Sequence, residues 1–249
     1  MKAMILAAGL GTRLRPLTND RPKALVEVAG KTLLEITLRC LNTFGIRDVI
    51  VNVHHFPDMI VDYLKSHDNF GMQIAISLEE VLLDTGGGLK KAGWFFQDGS
   101  AGPDEPFLLH NVDVISTIDL GRMVELHREN NSLATLAVQD RQTSRYLLFD
   151  EHGQLCGRRG GGDQPDEIAR PCVASRALAF SGIHVLSPRI LPQLTEDGAF
   201  SIIASYLRLA TAGEKILAFP ADHDYWRDLG KPENVAQATK DVEQHIVQL

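Results

Sequence analysis

An α/β fold, with a doubly wound, mostly parallel sheet and a smaller β insertion, is predicted by three features of the sequence. Short β-branched apolar runs alternate with amphipathic segments through the first half, which is the pattern of βαβ units. The spacing between runs leaves room for right-handed crossovers through helices. The 249 residues are 44% hydrophobic, enough to bury a large core, and a single domain over 1–249 is expected.

Strands are expected near residues 2–7, 48–53, 73–77, 106–109 and 133–138. Thr32 has the side chain to cap a helix that carries Leu34, Leu38 and Leu41 on one face. Pro57 suits the first position of a second helix, and residues 119–130 read as a third. Beyond about residue 140 the texture changes to hairpin-like pieces, at 146–150 and 154–156, separated by Glu151-His152-Gly153. The stretch 157–177 opens Gly157-Arg158-Arg159-Gly160 and is too polar and glycine-rich to pack. It is expected to be a mobile surface loop, because strand-like 178–185 resumes soon after. Residues 201–211 and 232–247 read as helices, the second opened by Pro232, and no internal repeat is visible.

Formal net charge is −7, which argues against a nucleic-acid partner and leaves the basic N-terminal segment as a local feature suited to a small anion. Cys40, Cys156 and Cys172 lack metal-ligand spacing, and an odd number cannot complete a disulfide framework, so reduced thiols in a cytoplasmic protein are expected. The apolar run after Met1 is too short for a signal peptide or a membrane span, and no membrane partner is expected.

Residues 1–25 run from that apolar strand into a glycine-rich, strongly basic loop. Gly9 and Gly11 allow backbone N–H groups to approach phosphate oxygens, and Arg13, Arg15, Arg21 and Lys23 add cations within a few residues. A dinucleotide fingerprint would need a third glycine where Leu14 stands. A Walker A loop would need a glycine five residues before the glycine of Gly-Lys-Ser/Thr, and that pattern is absent. Two aspartates suit a divalent cation. Asp113 follows a buried-looking strand, so it is expected at the carboxyl end, where open α/β sheets bind ligands; Asp228 lies in Tyr225-Trp226-Arg227-Asp228-Leu229-Gly230. His54 and His55 have no third partner and are assigned no role.

Taken in order, several strings resemble the signature of the sugar-1-phosphate nucleotidyltransferases, the nucleotide-sugar pyrophosphorylases. They are Gly9-x-Gly11-Thr12-Arg13-Leu14-x-Pro16-Leu17-Thr18, Pro22-Lys23, Asp84-Thr85-Gly86-Gly87-Gly88, Phe180-Ser181-Gly182 and Trp226-x-Asp228-x-Gly230. The resemblance spans nearly the whole chain. It implies a Rossmann-like nucleotide half over about 1–140 and a sugar-binding and C-terminal part over about 141–249. It further implies transfer of a nucleoside monophosphate from a nucleoside triphosphate to a sugar 1-phosphate with Mg²⁺ as cofactor.

By resemblance, Arg13 holds the departing pyrophosphate and Lys23 the α-phosphate. Ala8, Gly9, Gly11, Thr12 and Asn111 line the nucleotide, Thr85 and Gly86 form a wall against the base, and Glu79 reads the base edge. Gly87, Arg145, Ser181 and Gly182 are implied at the sugar, and Asp113 and Asp228 at the metal. Two departures stand out. Val112 replaces a glycine before Asp113, and Gly157-Arg158-Arg159-Gly160 replaces the common Glu-Lys-Pro, so Arg145, Arg158 or Arg159 is the substitute cation. UTP is the favoured donor. Guanylyl transfer to mannose or heptose 1-phosphate, cytidylyl transfer to a phosphorylated alcohol and a non-catalytic nucleotide-sugar sensor are the alternatives.

Overall fold

The computed structural model describes every residue except Asp98, Ser100, Ala101, Pro103 and Asp163. The chain opens with β1 (Lys2–Leu6), and a small hairpin of β2 (Glu27–Val28) and β3 (Lys31–Thr32) leads into α1 (Leu33–Thr43). Gly30-Lys31-Thr32, which in isolation looks like the end of a Walker motif, is the turn and return strand of this hairpin, with Gly30 at φ 78°. Thr32 caps α1 as expected, its hydroxyl accepting from Glu35 N at 3.1 Å, and Leu34, Leu38 and Leu41 are buried. Then follow β4 (Asp48–Val53), α2 (Pro57–Ser66) with Pro57 at its start, β5 (Gln73–Leu78) and α3 (Asp84–Ala92).

After these come β6 (Phe107–Asn111), β7 (Val114–Ser116), α4 (Leu120–Glu129) and β8 (Ala134–Gln139). The remainder consists of β9 (Tyr146–Phe149), β10 (Leu155–Arg158), β11 (Glu167–Ile168), β12 (Arg176–Leu186), α5 (Ile202–Thr211), β13 (Ile216–Pro220), β14 (Trp226–Asp228) and α6 (Pro232–Glu243). The last helix stops short of the expected 247, because Gln244 caps it and His245 turns to φ 59°.

In the first half of the chain β6, β1, β4 and β5 lie side by side and parallel. Alternation along these strands feeds two cores, which is what a doubly wound sheet requires. Ala3, Ile5, Val49, Val51 and Val53 face one core with Leu34, Leu38, Ile60, Met123 and Val235 of α1, α2, α4 and α6. Met4 and Ile50 face the other, with Leu89 and Ala92 of α3 and Ile202 and Tyr206 of α5.

The sheet turns antiparallel at β12, whose 11 residues join the halves. Its last four residues pair with β6, whereas its first four pair with β9, so the β9–β10–β11 meander continues the sheet beyond the carboxyl end of β6.

The polar stretch 157–177 corrects an expectation. It folds back as a hairpin in which Gly157 pairs with Ile168 and Arg158 with Glu167. Gly157 and Gly160 are packed so closely against the backbone of Glu167 and of Gln164–Pro165 that a Cβ at either would collide. The return strand is tied down by Ala169 N donating to Cys156 O at 2.9 Å, Thr211 Oγ1 donating to Ala169 O at 2.8 Å and an Arg170–Asp150 ion pair. Backbone pairing and close glycine packing thus order a segment whose side chains looked unable to pack; Asp163 lies outside the described residues. Cys156 and Cys172 are also brought together, with their Sγ atoms 3.0 Å apart.

Candidate active site

Where β1 ends, the chain leaves the sheet as the glycine loop, and a buried polar staple holds its start. Asn52, at the carboxyl end of β4, accepts from Ala7 N at 2.7 Å and Ala8 N at 3.3 Å through Oδ1. Its Nδ2 donates to Glu79 Oε1 at 2.7 Å, and Glu79 Oε2 accepts from Leu83 N at 2.9 Å. One amide and one carboxylate therefore join three chain segments at the mouth of the sheet.

Beyond the staple, Gly9 borders open space and Gly11, at φ 63°, starts the single turn Thr12–Leu14. Leu14 is buried and anchors the turn, leaving Thr12, Arg13 and Arg15 exposed. Lys23 begins a second short turn, and its ammonium group forms an ion pair with Asp113.

Asp113 sits in the turn between β6 and β7. Val112 is 2% exposed and packs into the core, with its N–H donating to Leu6 O at 3.2 Å, so its bulk points away from Asp113. Pairing of β14 with β7 sets Asp228 opposite Val114, and Leu229 N donates to Asp113 O at 2.8 Å. The two aspartates, far apart in sequence, thus stand on adjacent strand ends. Asp228 Oδ1 accepts from Gly230 N at 2.6 Å. A Cβ on Gly230 would lie 2.6 Å from Asp228 Oδ1 and 2.7 Å from Arg13 Nη2, so Arg13 and Asp228 flank the same glycine.

Five of the residues singled out by the resemblance make packing or hydrogen-bond contacts within the fold. Glu79 is 1% exposed with both oxygens engaged, so reading a base would cost it an existing hydrogen bond. Gly86 and Gly87 lie in the first turn of α3 and donate to Phe200 O, at 2.9 and 3.4 Å, and a Cβ on Gly86 would collide with the Phe200 ring. Thr85 Oγ1 accepts from Ile202 N at 3.0 Å and so serves the start of α5. These groups pack one helix against another; a single sequence could not show which distant segment, 198–202, the glycines admit. Ser181 is fully buried, with no hydrogen-bond partner for its hydroxyl among the described residues.

Gly182 instead lets β12 approach the site: at φ 78°, its missing Cβ would lie 2.9 Å from Asn111 Nδ2 and 3.0 Å from Val114 Cγ2. Of the proposed cations on the far side, Arg145 is exposed, Arg158 pairs with Glu167 at 2.6 Å, and Arg159 lies 5.3 Å from the Tyr146 ring centroid.

Arg141, two residues past β8, was missed. Its guanidinium stacks 3.6 Å from the Trp226 ring centroid and Nη2 donates to Phe180 O at 2.8 Å. Burial lowers its pKa from the ordinary arginine value, while the charges of Asp228 and Tyr146 act the other way. The available signal was a cation just beyond a buried strand, at the same end of the sheet as Asp113. His54 Nδ1 meets Glu79 O at 2.8 Å, a structural contact.

The family model described as Nucleotidyl transferase matches residues 2–245. The N-acetylmuramate alpha-1-phosphate uridylyltransferase of Caulobacter vibrioides is 35% identical over 240 residues, covering 93% of this chain and 92% of that protein. A mannose-1-phosphate guanyltransferase of Yarrowia lipolytica is 30% identical over 96% of this chain, which spans 63% of its length. Among solved structures, HddC from Yersinia pseudotuberculosis complexed with GMP-PN superposes with a TM-score of 0.75 at 23% identity, over 96% of this chain and 98% of that one. A UDP-glucose pyrophosphorylase complexed with UDP-glucose gives 0.76 at 18% identity, over 98% of both chains. At these identities the two structures speak for the fold.

Proposed function

Because this chain belongs to the nucleotidyl transferase family, we propose that it transfers a nucleoside monophosphate from a nucleoside triphosphate to a sugar 1-phosphate, giving a nucleoside diphosphate sugar and pyrophosphate. The observation that carries this reading is the convergence of Arg13, Lys23, Asp113 and Asp228 at the carboxyl end of the parallel strands. The chain acts as one unit, with the nucleotide held by about 1–140 and the sugar by about 141–249. Among the described residues, no helix is long and apolar enough to cross a membrane.

The chemistry follows from charge. An oxygen of the sugar's phosphate attacks the α-phosphorus in line, and pyrophosphate leaves carrying the electron pair of the broken P–O bond. Arg13 neutralises the departing group with its planar fork, and Lys23 holds the α-phosphate as a compact charge. Phosphate oxygens replace Asp113 as the partner of Lys23 when the triphosphate binds, which frees that carboxylate. Ala8, Gly9, Gly11 and Thr12 surround the phosphates and Asn111 borders the ribose side.

The donor set suits a hard divalent cation such as Mg²⁺, because Asp113 and Asp228 bring carboxylates to adjacent strand ends. No group of three or more acidic, histidine or cysteine side chains that could hold a metal exists among the described residues. Two carboxylates with substrate phosphate and water are the usual complement for Mg²⁺. The bound ion would supply compensation for phosphate charge in the transition state.

UTP is the favoured donor, supported by the uridylyltransferase name of the relative that matches this chain nearly end to end. A matrix of UTP, GTP, CTP and dTTP against N-acetylmuramate, mannose and glucose 1-phosphates, read by pyrophosphate release, tests the reading. Turnover fastest with UTP is expected. Pyrophosphate release from none of the pairs would refute a transferase.

A further inference from the structure

Arg141 is a half-buried cation with no carboxylate in an ion pair among the described residues. Two contacts fix it. The guanidinium lies 3.6 Å from the centroid of the Trp226 ring, which is itself held by Nε1 donating to Ser181 O at 2.8 Å, and Nη2 is tied to Phe180 O. Its Nε is buried without an acceptor. A guanidinium locked in place, with donors unspent, is pre-organised for an anion.

Its position says which anion. Trp226 and Asp228 alternate on β14 and so share one side of the strand, which brings Arg141 close enough to Asp228 to feel its charge. Arg13 and Lys23 come from the nucleotide half, whereas Arg141 follows β8 and is fastened to β12, in the half that extends beyond β6. Arg158 is spent on Glu167 and Arg159 lies over Tyr146.

We propose that Arg141 binds the phosphate of the sugar 1-phosphate, holding the attacking oxygen across the two aspartates from Arg13 and Lys23. This rests on the transferase reading above. Arg141→Ala should raise the KM for sugar 1-phosphate by about tenfold or more and change the KM for the triphosphate by less than about twofold. Arg141→Lys, which keeps the charge without the fork or the stack, should show a rise of about threefold or more.

The same variants are titrated calorimetrically with N-acetylmuramate, mannose and glucose 1-phosphates in the presence of α,β-methylene-UTP and Mg²⁺, which needs no turnover. Weakened sugar-phosphate binding in the variants supports the proposal even if the wild type proves inactive, an outcome that would sink the transferase reading alone. Wild-type affinity in either folded variant overturns it, as do equal losses for both substrates with a lowered Tm, or no sugar phosphate binding to the wild type. Should Arg141→Ala not fold, Arg141→Lys decides. If Arg145→Ala alone reproduces the selective KM rise, the proposal also falls.

Discussion

Lys23 and Asp113, separated by 90 positions in sequence, close into one ion pair at the mouth of the parallel sheet. Each group is the other's partner in this structure, and in the proposed reaction each takes a different one. Lys23→Ala should therefore reduce kcat by at least about a hundredfold while weakening triphosphate binding by less than about tenfold, since its charge matters most when a second phosphate attacks. Single-turnover rates set against equilibrium binding will separate the two; parallel losses would make Lys23 a ground-state anchor.

Asp113→Asn and Asp228→Asn should each lower turnover by at least about a hundredfold, with circular dichroism unchanged. The backbone contact from Leu229 N to Asp113 O does not involve either carboxylate, so the strand ends stay together. Near-native turnover of either variant at saturating Mg²⁺ would remove that residue from the cation site.

The parts of this site that were legible in the sequence are local ones. Thr32 and Pro57 announce helix starts through their own side chains, and the near-continuous apolar runs of β1 and β4 announce strands buried on both faces. The glycines of 86–88 were equally visible, but what they admit is not local. Phe200 packs against Gly86, while Glu79 and Asn52 close on Gly88 from the other side, so packing glycines and ligand-facing glycines look alike in one sequence. Arg141 escaped for the same reason: its stacking partner Trp226 and its acceptor Phe180 come from distant strands.

Glu79→Gln tests the reassignment of that residue. Both carboxylate oxygens face donors, Asn52 Nδ2 and Leu83 N, and an amide must turn an N–H₂ toward one of them. A buried unsatisfied donor costs about 1–3 kcal/mol. Tm should fall while the ranking of nucleoside triphosphates stays the same. A changed base preference at unchanged stability would restore Glu79 to the base.

Three buried histidines make stability depend on pH. Burial takes His110 down to about 4, against the opposing effects of its contact with Asn111 O and the charge of Asp113. Burial, with a smaller contribution from the charge of His110, pushes His184 down to about 3. Burial, reinforced by Arg189 and Arg128, takes His127 to about 4. Unfolded histidine titrates near 6.5, so below that pH the unfolded chain binds protons that the folded chain refuses. Their contribution is complete above about pH 6.5 and is lost as pH falls toward their folded values, by about 1.4 kcal/mol per histidine per pH unit. Asp150, Asp241 and Glu196 have lowered pKa values and add their own losses only in more acidic solution. Denaturant unfolding at pH 7.5 and 5.5 should differ by about 4 kcal/mol. Equal stabilities at the two pH values would mean that these rings are protonated in the fold.

Gly230→Ala separates geometry from stability. No positive φ is required at Gly230, so alanine fits the backbone, and the loss of freedom in the unfolded chain favours folding by about 0.4–1 kcal/mol. The new Cβ meets only the ends of two side chains, Asp228 Oδ1 at 2.6 Å and Arg13 Nη2 at 2.7 Å, and both must move aside. These are the groups assigned to the cation and the pyrophosphate, so their displacement should lower kcat/KM for the triphosphate by about tenfold or more. Tm should hold, because moving Asp228 Oδ1 gives up its hydrogen bond from Gly230 N, worth about 0.5–1.5 kcal/mol, and so offsets that gain. An active Gly230→Ala enzyme would show that Arg13 and Asp228 need not stand together, and a destabilised one that the glycine serves the fold.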